Sequence, residues 1–182
     1  MMKRSLAIGC WSVAILLATS VMSFSAGFFK IGEPAPNFTL TSLEDRSLSL
    51  ESLRGKVVVL GLFHICEPCL IQGTNLQKVY EATKGKNVAV VGVNSSGDSK
   101  SHVQEFLKTF PTSVTYPYLL DPEQVTDKLF GGGKFIPNVY IIDQQGVIRW
   151  QRVGNFNMAG QDVILQEVEK LLLADSSSSS AL

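Results

Sequence analysis

A chain of 182 residues with 45% hydrophobic content can bury one substantial core, so a single domain is the default reading. Formal net charge is zero, and no basic run or aromatic–basic interleaving occurs, which argues against a nucleic-acid partner. Only Cys10, Cys66 and Cys69 carry thiols, too few for a framework of structural disulfides, so the close pair Cys66 and Cys69 reads as functional.

Residues 1–29 read as a targeting segment. Lys3 and Arg4 form a positive start, and the next charge is Lys30, with an apolar stretch between them. Small residues at Ser23, Ser25 and Ala26 suit cleavage of a secretory signal, while the uncharged run is also long enough to serve as an uncleaved membrane anchor. Either reading puts the domain of residues 30–174 outside the cytoplasm. Residues 175–182, with five serines, read as a disordered tail.

Within the domain, Pro34 and Pro36 enforce an extended opening. Short strands are expected at Phe38–Thr41 and Ser47–Leu50, followed by a turn over Leu50–Leu53. The unbroken apolar run Val57–Phe63, rich in β-branched valine, predicts a central strand buried on both faces. Val88–Val93 repeats that signal. Helical spacing predicts helices from Glu67 to about Thr83, Ser99 to Phe110, Pro122 to Phe130 with Asp121 as N-cap, and Gln161 to Leu173. Tyr118–Leu120 reads as a further short strand, and Gly131–Gly133 as a flexible link. Val139–Ile142 and Val147–Trp150, joined by Asp143-Gln144-Gln145-Gly146, read as a hairpin. Parallel crossovers early and a hairpin late imply an α/β fold, a mixed sheet with helices on both faces.

Cys66-Glu67-Pro68-Cys69 falls at the junction between the buried strand and the first long helix. There the unpaired N–H groups and the helix dipole favour a thiolate on Cys66, and Cys69 lies one turn on, close enough to close a disulfide. Zinc would require two more ligands, and His64 and His102 do not repeat the spacing of a zinc site, so no metal and no cofactor are expected. Cys66 is the expected nucleophile and Cys69 the buried resolving thiol. Glu67 is a first-turn acid that complements the dipole and, as a neighbouring anion, can raise the Cys66 pKa. Pro68 is tolerated early in the helix and restricts the ring. His64 is either a charge partner for the sulfur or an ordinary loop histidine, and His102 reads as a surface residue.

These pieces resemble a known family. Gly32-x-x-Ala35-Pro36-x-Phe38-x-Leu40, Leu53-x-Gly55-Lys56, the Cys-Glu-Pro-Cys motif, Tyr118-Leu119-Leu120-Asp121-Pro122 and Ile136-Pro137 before Ile141-Ile142-Asp143-x-x-Gly146 are together similar to the TlpA/ResA-like proteins of the redoxin group. The resemblance covers roughly Ile31 to Leu173. It implies a thioredoxin-like fold with an N-terminal β extension and a central βα insertion. It also implies a cis Pro137 opposite the dithiol, holding Ile136 extended to pair with an incoming peptide. Ile65 stands where the family usually has Trp, Gln72 where many members have a Glu thought to tune the thiols, and Thr74 where a helix-bending Pro is common. Gln72 is accordingly either a hydrogen-bonding substitute for that acid or a plain helix-face residue.

The resemblance implies an extracytoplasmic protein disulfide oxidoreductase, here expected as a monomer and as a reductant. The haem-site cysteines of apocytochrome c are the implied substrate, and a membrane protein of the CcdA/DsbD type the implied electron donor. Two alternatives stand beside it. One is a thiol peroxidase of the peroxiredoxin-like group, although Val59 and Phe63 occupy positions where its peroxide-binding Pro and Thr/Ser would be. The other is a Cu(I)-handling protein using Cys66, Cys69 and His64.

Overall fold

A computed structural model describes residues 31–131, 135–154 and 158–179. The expected targeting segment therefore lies outside the described residues, as do Gly132 and Gly133 of the expected link. Among the described residues no helix is long and apolar enough to cross a membrane.

Strands β1 (Thr39–Ser42) and β2 (Ser47–Ser49) lead through a 3-10 turn at Glu51–Leu53 into β3 (Val57–Phe63). Helix α1 (Glu67–Ala82), β4 (Val88–Asn94), α2 (Lys100–Lys108), β5 (Tyr118–Leu120) and α3 (Val125–Phe130) follow. The chain closes with β6 (Asn138–Ile142), β7 (Ile148–Val153) and α4 (Gln161–Ser179). One seven-stranded sheet results, in the order β2-β1-β5-β4-β3-β6-β7. β3 pairs parallel with β4, and β4 with β5, while β6 lies antiparallel on the other side of β3. This is the mixed α/β sheet that the pattern of crossovers and hairpin implies.

All seven residues of β3 are buried, because the strand is a wall between two cores. Val57, Val59 and Phe63 face one core together with Leu76 and Val79 of α1 and Ile164 and Val168 of α4. Val58, Leu60 and Leu62 face the other with Phe38, Phe130, Tyr140 and Ile148. The period-two alternation of a strand thus serves two layers of cover at once. Gly61 shares the first face, and a Cβ there would lie 2.5 Å from the Phe63 ring and 2.7 Å from Leu76. Its missing side chain lets α1 approach β3 closely at Leu76. Each fully buried leucine such as Leu76 contributes about 1.5–3 kcal/mol by removal from water.

The hairpin from β6 to β7 turns at Asp143–Gly146, where Gly146 takes φ 78° and its N–H donates to the Asp143 carbonyl at 2.9 Å. Asp143 also accepts from the Val147 N–H at 2.8 Å and from Arg149 at 2.6 Å. The opening segment docks on this same turn. Gly32 N–H donates to the Ile148 carbonyl, Ile148 N–H to Glu33, and Ala35 N–H to Gly146.

Most strand and helix ends shift by one to three residues, and the start of α3 and the end of α4 have a clear cause. Helix α3 starts at Val125 rather than Pro122, because Gln124 adopts a left-handed backbone at φ 54° that a helix cannot include. Asp121 still serves the helix start from outside it, accepting from the N–H groups of Val125 at 2.9 Å and Thr126 at 2.7 Å. Helix α4 runs past Leu173 to Ser179, taking in the first part of the tail expected to be disordered. No glycine or proline interrupts Ala174–Ser179, so the backbone hydrogen bonds continue through it.

Candidate functional site

The C-terminal ends of the parallel strands form one pole of the molecule, the usual place for a site in sheets of this kind. β3 ends at Phe63 beside Asn94 of β4, and Asn94 in turn lies beside Leu120 of β5. The chain leaves β3 through His64 and Ile65 and enters α1 at Cys66.

Cys66 is the N-cap, with an extended backbone at φ −156° and ψ 156°, and its Sγ accepts the Cys69 N–H at 3.3 Å. A sulfur thus takes the role that a Ser or Asp oxygen often fills at a helix start. Cys66 and Cys69 form a disulfide, with Cα atoms 5.2 Å apart. The two sulfurs sit in different surroundings. Cys66 is half-buried, whereas Cys69 is fully buried in the core of α1, α4 and β3. The His64 N–H points at the inner sulfur, 3.4 Å from Cys69 Sγ. Glu67 is an exposed first-turn acid and Pro68 a half-buried residue of that turn. Ile65, where the family usually has Trp, is 41% exposed.

The Ile136–Pro137 peptide bond is cis. It directly precedes Asn138, which pairs with Leu62, so it stands at the dithiol pole of the sheet. Ile136 and Cys66 are both half-buried and pack against the rim of the same core.

Gln72 is tied to the loop before α4. Its side-chain amide is clasped to one backbone residue across the core: Nε2 donates to the Ala159 carbonyl at 3.0 Å, and Oε1 accepts the Ala159 N–H at 3.0 Å. Asn75 adds a third bond, from Nδ2 to the Ala159 carbonyl at 3.3 Å. Its role in this structure is to seat the loop before α4 against α1.

The ionisable neighbours of His64 come from later in the chain. His64 Nε2 is 3.8 Å from Asp127 Oδ1 on α3. Asp98, after β4, accepts from Asn94 Nδ2 at 2.9 Å and from the Ser96 hydroxyl. Burial pushes Asp127 above the ordinary carboxylate range, with Asp121 adding to the rise and the facing His64 opposing it. For Asp98 burial also acts upward, but the Ser96 and Asn94 hydrogen bonds with the charges of His64 and His102 together hold it low. Neither aspartate belongs to a local motif. The one sequence signal is that each follows a parallel strand at the end where the cysteines lie. His102 is exposed on α2, as expected. Among the described residues, no group of three or more His, Cys, Asp or Glu side chains is arranged to hold a metal ion.

A thioredoxin-like sheet with a disulfide between the N-cap and the third residue of its first long helix defines the class of thioredoxin-like oxidoreductases. Comparison with known proteins agrees. Residues 31–151 match the AhpC/TSA family. A curated relative, thiol-disulfide oxidoreductase ResA of Geobacillus thermodenitrificans, is 27% identical over 81% of this chain and 88% of its own length. Thioredoxin-like protein YneN of Bacillus subtilis is 32% identical over 68% of this chain and 71% of its own. Among solved structures, a DsbF homologue from Corynebacterium diphtheriae superposes with a TM-score of 0.65 at 27% identity, covering 76% of this chain and 87% of that one. The chain belongs to the AhpC/TSA family, and within it to the ResA-like thiol-disulfide oxidoreductases.

Proposed function

We propose that this chain reduces protein disulfides outside the cytoplasm through Cys66 and Cys69. The observation that carries the reading is the asymmetry of the sulfurs: one half-buried at a helix N-terminus, the other enclosed behind it. Attack on a disulfide needs an accessible thiolate, and the helix N-terminus favours one at Cys66. In the reduced protein, Cys66 thiolate attacks one sulfur of the substrate disulfide. That bond breaks, a mixed disulfide forms, and the first substrate thiolate leaves. Cys69, deprotonated, then attacks Cys66 Sγ, which forms the Cys66–Cys69 bond and frees the second substrate thiolate. Two electrons have passed from the dithiol to the substrate. An external dithiol must return them, and a membrane donor of the CcdA/DsbD type fits that need.

Ile136 is the residue that would pair through its backbone with the incoming peptide, ahead of Pro137. Apocytochrome c, with its paired haem-site cysteines, is the substrate suggested by similarity to ResA. The location follows from Lys3, Arg4 and the apolar stretch behind them. Cys69→Ala tests the mechanism: it should accumulate a covalent mixed disulfide with the physiological substrate through Cys66, identifiable by mass spectrometry. A folded, exported Cys69→Ala protein that captures no partner through Cys66 overturns the reading.

A further inference from the structure

The segment proposed to receive the substrate chain is braced by the residue that follows β7. Gly154, at φ 79°, donates its N–H to the Pro137 carbonyl at 2.9 Å. It also lies against Phe135, since a Cβ on Gly154 would sit 3.7 Å from the Phe135 Cβ. Gly154 thus touches the residues on both sides of Ile136.

Four residues separate Gly154 from Ala159, and Ala159 is gripped by the helix that carries the thiols. Gln72, about one turn beyond Cys69, engages the N–H and the carbonyl of Ala159, each at 3.0 Å. Asn75 adds its bond to the same carbonyl at 3.3 Å. Ala159 and Cys69 are buried in one core. With both ends of a buried amide in use, only one seating of Ala159 on α1 satisfies every group. The other link between α1 and the Ile136 segment runs through the sheet. Leu62 pairs with Asn138, and the chain passes from β3 through His64 and Ile65 to Cys66. That link holds the start of α1 at one point. A second attachment a turn further along fixes how the first turn stands against Ile136.

We infer that Gln72 is a positioning residue for protein substrates: through Ala159 and Gly154 it sets the spacing between Cys66 and the Ile136 backbone. A target sulfur must lie in line with Cys66 for attack, and a peptide laid along Ile136 delivers it there only at the correct spacing. A small disulfide that makes no backbone pairing does not use that spacing. The inference rests on the reading of Cys66 as nucleophile and Ile136 as the strand that receives the peptide.

The test mixes the reduced full chain with two probes and follows formation of the Cys66–Cys69 bond by mass after acid quenching. One probe is an alanine–serine peptide whose central cysteine is disulfide-linked to a single capped cysteine. The other is the disulfide of two capped cysteines, with the same sulfur chemistry and no backbone to lay along Ile136. Wild-type protein should prefer the peptide. Gln72→Ala should lower the peptide's second-order rate constant about tenfold, within the roughly hundredfold that a 1 Å misplacement can cost, and leave the small disulfide within about twofold. Gln72→Glu supplies a second measurement. Its neutral acid can donate to the Ala159 carbonyl and accept the Ala159 N–H as Gln72 does, whereas its ionised form sets a second acceptor against that carbonyl. Its preference for the peptide should therefore match wild type in acid and fall as pH rises through its ionisation, while the wild-type preference stays flat. A charge acting on the thiols alone would change both probes alike and leave the preference unmoved. A folded Gln72→Ala protein with the wild-type preference, or a Gln72→Glu preference that does not vary with pH, overturns the inference. Wild-type protein with no preference for the peptide sinks the role of Ile136, and wild-type protein that reacts with neither probe sinks that of Cys66. The inference falls with either.

Discussion

Two polar arrangements flank the start of α1, and they are built on opposite principles. On the inner side, Gln72 and Asn75 grip Ala159 with neutral groups, all at hydrogen-bond distance and with both ends of the Gln72 amide engaged. On the strand-end side, His64 faces Asp127 at 3.8 Å with no hydrogen bond between them, and Asp98 stands near with its own partners. The first arrangement is a fastener whose strength does not depend on protonation. The second is made of ionisable groups, so its strength depends on which of them carry charge. Helix α1 is thus held by amide chemistry on one side and left responsive on the other. An acid at position 72 would have put both tasks on the same residue.

The contrast can be broken most severely at Gln72. Gln72→Ala leaves the buried Ala159 N–H without its partner and the Ala159 carbonyl with only the longer Asn75 bond, and should cost about 2–3 kcal/mol in urea unfolding, with little change in that loss between acid and neutral pH. A loss that varied strongly with pH would show that the clasp is not the neutral fastener described. Asn75→Ala removes the longer third bond and should cost about 1 kcal/mol by the same measurement.

On the titratable side the effects should be smaller and should carry a sign. Asp98 is held below the ordinary carboxylate range in the folded chain, so it stabilises above its unfolded value and that stability is lost as pH falls through its folded value. Asp98→Asn should therefore flatten the acid limb of a stability-against-pH curve. Asp127 is shifted the other way. Its favourable contribution is complete below the unfolded value and is lost as pH rises through the raised one, so at neutral pH its charged form weighs against folding. Asp127→Asn should leave the melting temperature at neutral pH unchanged or slightly higher. A marked fall would mean that the His64 ion pair outweighs the burial of the carboxylate.

The sequence made the scaffold readable where signals were local. Val57–Phe63 announced a doubly covered strand because every residue in it is apolar, and Asp143–Gly146 announced a turn because Gly146 can take a positive φ. Cys66 and Cys69 were readable because i and i+3 at a strand-to-helix junction define one turn. What escaped depends on distance or on a single backbone angle. The partner of Gln72 is 87 residues away, so its side chain read equally well as a substitute acid or as a plain helix residue. Asp98 and Asp127 reach His64 only because the sheet order sets β5 beside β4 and β4 beside β3. Asp121 looked like an N-cap, and a left-handed Gln124 moved the helix start beyond it, so that its oxygens accept from the N–H groups of Val125 and Thr126, further along the chain than a cap at 121 would reach. The C-terminal reach of α4 was missed because a serine run has weak helix propensity but no residue that stops a helix already under way.

The docking of Gly32–Ala35 on the hairpin turn fixes which way the domain faces. Ile142 and Ile148 pair beside the Val58 end of β3, whereas the cysteines follow its Phe63 end, a strand length of about 16 Å away. Whatever precedes Ile31 therefore joins the domain at the pole opposite the sulfurs. A force on the chain at Ile31 falls on the outer edge of the sheet and not on the helix that carries the dithiol. Cys66 therefore lies at the end of the domain opposite the point where the chain enters it at Ile31, and partners that approach the dithiol meet the far pole.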